Sequence, residues 1–178
     1  MAKELHINNL NLDEIVKRWN RVDENGQKID AIVNSIVNKY CGELDEFVNK
    51  VYKMISDPKI DVPDVDIEYM ALQLPCLMYF TSDKLEELGI REDIARGFEK
   101  ESYNNSMLST EGKVAEKESI AQIASQDDSL ITSINSRAYR KIKARIELAL
   151  ETLSSLKKVL SNRITNKELT NRDPNNRE

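Results

Sequence analysis

Over the last third of the chain, apolar residues recur at the period of a straight α-helix, and neither glycine nor proline interrupts them. Ile131, Ile134, Ala138, Ile142, Ile146, Ala149, Leu153, Leu156, Leu160 and Ile164 follow one another at steps of three or four. Their mean spacing, roughly 3.67 residues, is close to an eleven-residue repeat. The pattern predicts a helix over residues 131–164, about 51 Å long at 1.5 Å per residue. A rod of that length with one apolar stripe needs other helices, or other copies of itself, to cover the stripe. The predicted fold class is therefore all-α: long amphipathic helices packed as an antiparallel, coiled-coil-like bundle that self-associates. With 5 glycines and 4 prolines in 178 residues, the chain lacks the turn-formers of a β-sandwich or barrel.

A second periodic region lies near the N-terminus. Residues 1–11 are polar and Asn-rich and expected to fray. Asn11 is a candidate N-cap, and Asp13 and Glu14 suit the positive end of a helix dipole. Ile15, Trp19, Val22, Ile29, Val33, Ile36, Tyr40, Leu44, Phe47, Val51 and Met54 then form a heptad seam in which Gly26 takes one core position. Gly26 and Gly42 are weak points, each costing about 1 kcal/mol against alanine. Either one long helix forms or two helices break near Gly26, and the seam can pair within or between chains.

Pro58, Pro63 and the aspartates around them divide the chain. The predicted organisation is a heptad-patterned helical region over 1–56, a Pro/Asp linker over 57–66, a helical core over 67–164 and a disordered tail over 165–178. Residues 67–80 are apolar nearly all round and read as a buried helix, with a kink or break at Pro75. Residues 81–83 carry a second cap signal. Residues 104–112 read as a loop, or as a helix start capped by Ser109 or Thr110. A short polar helix over 113–125 follows, and Asp127 and Asp128 open the last helix.

Enzyme templates find no support. The five glycines are scattered, so no phosphate loop exists. His6 is the only histidine and sits in the end expected to fray, so a solvent-exposed residue is expected there, not the base of a nucleophilic triad. Two cysteines and one histidine do not make a four-ligand zinc site, and Cys41 and Cys76 read as free thiols. No Glu-x-x-His pair offers a carboxylate metal centre. The expectation is no catalytic residue, no metal and no cofactor. The N-terminus lacks a signal-peptide core, and the longest apolar stretch, residues 70–80, is too short for a bilayer. A soluble, cytoplasmic protein without a membrane role is expected.

Charge placement is more informative. Residues 134–164 carry eight cations against two carboxylates, whereas residues 1–133 hold a net charge of −11, within a total of −5. Arg137, Arg140, Lys141, Lys143 and Arg145 crowd into nine residues around Tyr139, and Lys157, Lys158 and Arg163 extend the charge toward the helix end. Such a ladder can follow a phosphate backbone, with Tyr139 offering a stacking face to an unpaired base. The same cations can instead favour the helix C-terminus, lie on a solvated face, or pair with the acidic N-terminal region.

The stretch from about 66 to 164 resembles UvsY-like recombination mediators of tailed bacteriophages. The likeness rests on the apolar helix IEYMALQLPCLMYF, the segment FEKESYNNSML, the polar connection STEGKVAEKESIA, and the closing SLITSINSRAYRKIKARIELALETLSSLKKVLSNRI. It covers roughly 100 residues and leaves the N-terminal heptads without a counterpart. The resemblance implies a ring-like homo-oligomer, without catalysis or cofactor, that binds single-stranded DNA. Such a protein helps a RecA-type recombinase displace the single-strand-binding protein and nucleate a filament, here in a host cytoplasm. The family's Lys-x-Arg pair falls before the polar connection, where this chain has Glu99, Lys100 and Glu101; its only Lys-x-Arg is Lys143-Ala144-Arg145. Either the DNA path has moved to the last helix, or DNA binding is weaker or absent. Two other functions fit the pattern: a coiled-coil scaffold without nucleic acid, and a regulator that lays one helix into a partner's groove.

Overall fold

In a computed structural model, which describes residues 11–57 and 60–172, four helices account for nearly all of those residues: α1 (Leu12–Ser56), α2 (Asp64–Ser109), α3 (Val114–Ala124) and α4 (Gln126–Arg172). Among the described residues there is no strand. The all-α bundle expected from the apolar spacing is the fold observed. No helix among these is long and apolar enough to cross a membrane.

α1 is one continuous helix through Gly26 and Gly42, about 68 Å long. Asn11 caps it by accepting a hydrogen bond from the Glu14 amide at 3.4 Å. Its seam splits in two. Residues 11–28 are all exposed, and burial begins only at Ile29 and Val33. Gly26 stands at the changeover, where the heptad lacks a side chain and nothing lies within 4 Å of a Cβ placed there.

The core is a column of three clusters. Val33, Val37 and Cys41 of α1 meet Leu88 of α2 and Ala138 and Ile142 of α4. Leu44 then meets Leu74, Met78, Ala149 and Leu153. Val51 meets Ile67, Met70 and Leu156, with Val62 of the α1–α2 loop. Numbers rise together in α1 and α4 and fall in α2, so α2 runs antiparallel to both. Ala138 and Ala149 are wholly buried, small side chains that let α4 approach its neighbours closely.

Several local expectations yield to this packing. α2 runs unbroken through Pro75, whose missing N–H falls on an exposed side of the helix. Thr81 does not cap a new helix; it lies mid-helix and its hydroxyl donates to the Leu77 carbonyl at 2.8 Å. Residues 104–109 are the last turns of α2, and the loop is confined to 110–113. There Gly112 takes a φ of 133°, a left-handed conformation that favours glycine. α3 matches the predicted short helix, and only Ser125 separates it from α4, which starts beside Asp127 and Asp128 as expected. The Pro/Asp segment is not a boundary between units, because α1 belongs to the same core as α2 and α4 and Val62 is buried within it. The expectations for residues 1–10, for Pro58 and for residues 173–178 lie outside the described residues.

The predicted disordered tail is helical as far as Arg172. Its root is clamped: Arg163 donates to the Val62 carbonyl and to Asp64 (3.0 Å), and Lys167 also donates to Asp64. Those bonds, from Lys167 first and Arg163 second, hold the Asp64 carboxyl below its ordinary value. A carboxyl with a lowered folded pKa contributes stability above its unfolded pKa and loses it as pH falls through the folded one. Asp64→Asn at neutral pH, or acidification of the native chain below the carboxylate range, is therefore expected to lower the amide protection factors of residues 164–172 severalfold, each taken against the intrinsic exchange rate at the same pH. The protection factor of Ile142, in the buried core, should not change.

Candidate nucleic-acid interface

α4 carries every residue of the predicted DNA-binding set, and its helical period sorts them around the rod. Ile142, Ala149 and Leu156 define the buried side. At about 100° per residue, Lys141 and Arg145 turn toward α1, Arg140 and Lys158 turn outward, and Arg137 and Lys143 flank Arg140 on either side.

Two of the cations pair with carboxylates of α1 at the bundle surface. Lys141 Nζ bonds Asp30 at 2.7 Å and Asn34 Oδ1 at 2.9 Å, both on α1. The Lys141 bond and charge, with Arg137 as a lesser contributor, lower the Asp30 carboxyl below its ordinary value. Arg145 pairs with Asp45 at 3.4 Å. There burial outweighs the arginine's charge and leaves the Asp45 carboxyl above its ordinary value, so that pair adds little net stability. Arg163 belongs to the Asp64 clamp.

The other five cations stay in water. Arg137, Arg140, Lys143, Lys157 and Lys158 are exposed, and none is in an ion pair among the described residues. Arg140 Nε donates to the Ser136 carbonyl at 3.4 Å, which draws its side chain back along the helix. Arg137, Arg140 and Lys141 line an open groove of about 320 Å³ between α4 and α1, closed by Ile29, Asp30, Val33 and Ala144. Arg137, Arg140 and Lys143 span about 9 Å of the axis.

The expected ladder is not continuous. Glu147 and Glu151 occupy the outward face for two turns above Lys143, and Lys157 and Lys158 form a separate pair beyond them. Arg140 and Lys158 stand about 27 Å apart along α4. Tyr139 is half-buried, packs on the first core cluster, and lies 3.5 Å from a Cβ built on Gly89. Its ring therefore serves the α2–α4 contact. At the place where the resemblance leads one to expect a Lys-x-Arg pair, Lys100 is exposed on α2 between Glu99 and Glu101, and nearby Arg96 bonds Glu92 at 2.7 Å.

The carboxylates Asp30 and Asp45 are the residues that cation counting overlooks. Their signal was present in the heptads, since Asp30 adjoins Ile29 and Asp45 adjoins Leu44, each beside the seam. Among the described residues no three His, Cys, Asp or Glu side chains are grouped to hold a metal ion. Compared with known proteins, the chain matches no family model, no curated protein and no solved structure.

Proposed function

We propose that the chain is a non-enzymatic, self-associating accessory protein of recombination or replication that binds single-stranded DNA along α4. Arg137, Arg140 and Lys143 supply the main contact, and Lys157 and Lys158 supply a second one. The carrying observation is that these five cations remain exposed and, among the described residues, outside ion pairs, on a chain of net charge −5. By its resemblance to phage mediators, the protein would assist a RecA-type recombinase against the single-strand-binding protein, in a cytoplasmic setting.

A scaffold without nucleic acid is the second reading. The Lys141–Asp30, Arg145–Asp45 and Arg163–Asp64 pairs favour it, because they use part of the basic run to join α4 to the rest of the bundle. Fluorescence anisotropy with labelled oligo-dT separates the two. DNA binding predicts affinity that falls with salt, with a log–log slope of about −0.7 per phosphate contacted. Absence of binding at about 50 mM salt, or affinity indifferent to salt, removes the DNA reading and leaves the scaffold.

A further inference from the structure

α2 has two apolar faces, and the bundle uses one. Ile67, Met70, Leu74, Met78, Thr81 and Leu88 point into the core. On the opposite side Val65, Tyr69, Leu72, Cys76 and Tyr79 follow at steps of four, three, four and three, with Phe80 beside them, and all six are exposed. Tyr69, Leu72, Tyr79 and Phe80 are 62, 73, 67 and 64% exposed. A helix apolar on every side belongs inside a larger assembly. A four-three step is the signature of a seam that receives another helix. At roughly 150–250 Å² per aromatic side chain, the three rings alone leave on the order of 300–500 Å² in water. With Val65, Leu72 and Cys76 added, the patch exceeds what a monomer ordinarily exposes and approaches the ~800 Å² per partner of a stable interface.

The spacing of the stripe indicates what covers it. Between residues 60 and 83 there are carboxylates and no cation, and the first cation beyond is Lys84. A parallel pair of such helices would set Asp66 and Glu68 against themselves. An antiparallel pair centred near Leu74 brings Tyr69 to Tyr79 and Leu72 to Cys76, moves Asp66 and Glu68 away from their own copies, and sets Asp66 near Lys84 of the second copy, with Asp83, Glu86 and Glu87 beside that lysine. Lys84 is exposed, and on its own chain it bonds Glu87 at 3.2 Å. The apolar residues of the stripe thus meet one another under a two-fold rotation, the commonest closed symmetry.

We propose that two copies of this chain pair through the outer faces of α2, antiparallel, about a two-fold axis near Leu74 and Cys76. This gives the self-association of the function proposed above a face and a symmetry, and it stands whether or not α4 takes DNA. The pairing leaves α4 outside the contact.

Light scattering after size exclusion tests it on the whole chain. The wild type is expected at twice the chain mass. Leu72→Glu and Tyr79→Glu change exposed residues, so helicity should persist while the dimer dissociation constant rises by about 100-fold or more. A short bismaleimide should join Cys76 to Cys76, since Cys41, the other thiol, is buried in the core. Three results overturn the proposal: a monomeric wild type, an oligomer that both glutamate variants leave intact, or a Cys76 that crosslinks to a cysteine placed on α1 (Trp19→Cys) but not to its own copy. Oligo-dT binding measured on the same variants reports separately on α4.

Discussion

Leu74→Ala is expected to cost the bundle about 3–5 kcal/mol, the range for a large core leucine whose site does not collapse. Leu74 is fully buried at the level where α1, α2 and α4 meet, among Leu44, Met78, Ala149 and Leu153. One of its two α4 neighbours in that cluster, Ala149, is too short to swing into the space. Domains of this size hold roughly 5–15 kcal/mol in total, so the variant should sit close to its unfolding threshold. Urea unfolding measures the effect as a lowered midpoint with an unchanged slope. Leu72→Ala, two residues away on the outer face, should cost less than about 0.5 kcal/mol at concentrations where the chain is monomeric. Equal costs at the two positions would mean that the inner and outer faces of α2 have been assigned the wrong way round.

The contrast between those leucines also marks where the sequence could be read and where it could not. α1 and α4 were legible because their stripes repeat ten times or more, and a repeated period averages out a local exception such as Gly26. α2 was not. Its two apolar faces cancel any periodic signal, and local rules for Pro75, Thr81 and residues 104–109 then suggested breaks. A proline costs an isolated helix about 3 kcal/mol. α2 is not isolated: Ile67, Met70, Leu74, Met78 and Leu88 are buried along it, and each fully buried apolar side chain contributes about 1.5–3 kcal/mol. The tail past residue 164 reads as polar for a similar reason. What extends the helix there is a clamp from Asp64, about a hundred residues away, and composition carries no trace of such a contact.

The candidate interface was legible as a concentration of charge but not as a surface. Whether Lys141 or Arg145 is free depends on the register between two parallel helices, α1 and α4, joined only through α2 and α3. A shift of one turn would leave Asp30 facing a different residue. Tyr139 shows the same dependence: its position in the sequence suits a stacking ring, and its position in the bundle makes it a packing ring against Gly89.

That register sets up the strongest test of the DNA reading, because it predicts opposite signs at neighbouring positions. Reversing Arg137, Arg140 and Lys143 to glutamate together should lower oligo-dT affinity by at least about 100-fold at ~50 mM salt, since three phosphate contacts are replaced by three repulsions. All three side chains are exposed and outside ion pairs, so circular dichroism should not change. Asp30→Asn should act the other way. Asp30 is the carboxylate that engages Lys141 and lies near Arg137 in the α1–α4 groove. Its removal frees one cation and deletes one negative charge beside the DNA path, so affinity should rise severalfold and the salt slope should steepen by about 0.7. The two results must be read together. Loss on reversal alone is what any acidified surface would produce, whereas a gain at Asp30 requires that strand and carboxylate compete for the same lysine. If Asp30→Asn weakens binding and also loosens α1, the Lys141–Asp30 bond is a strut of the bundle, and the basic run of α4 is explained by packing without recourse to DNA.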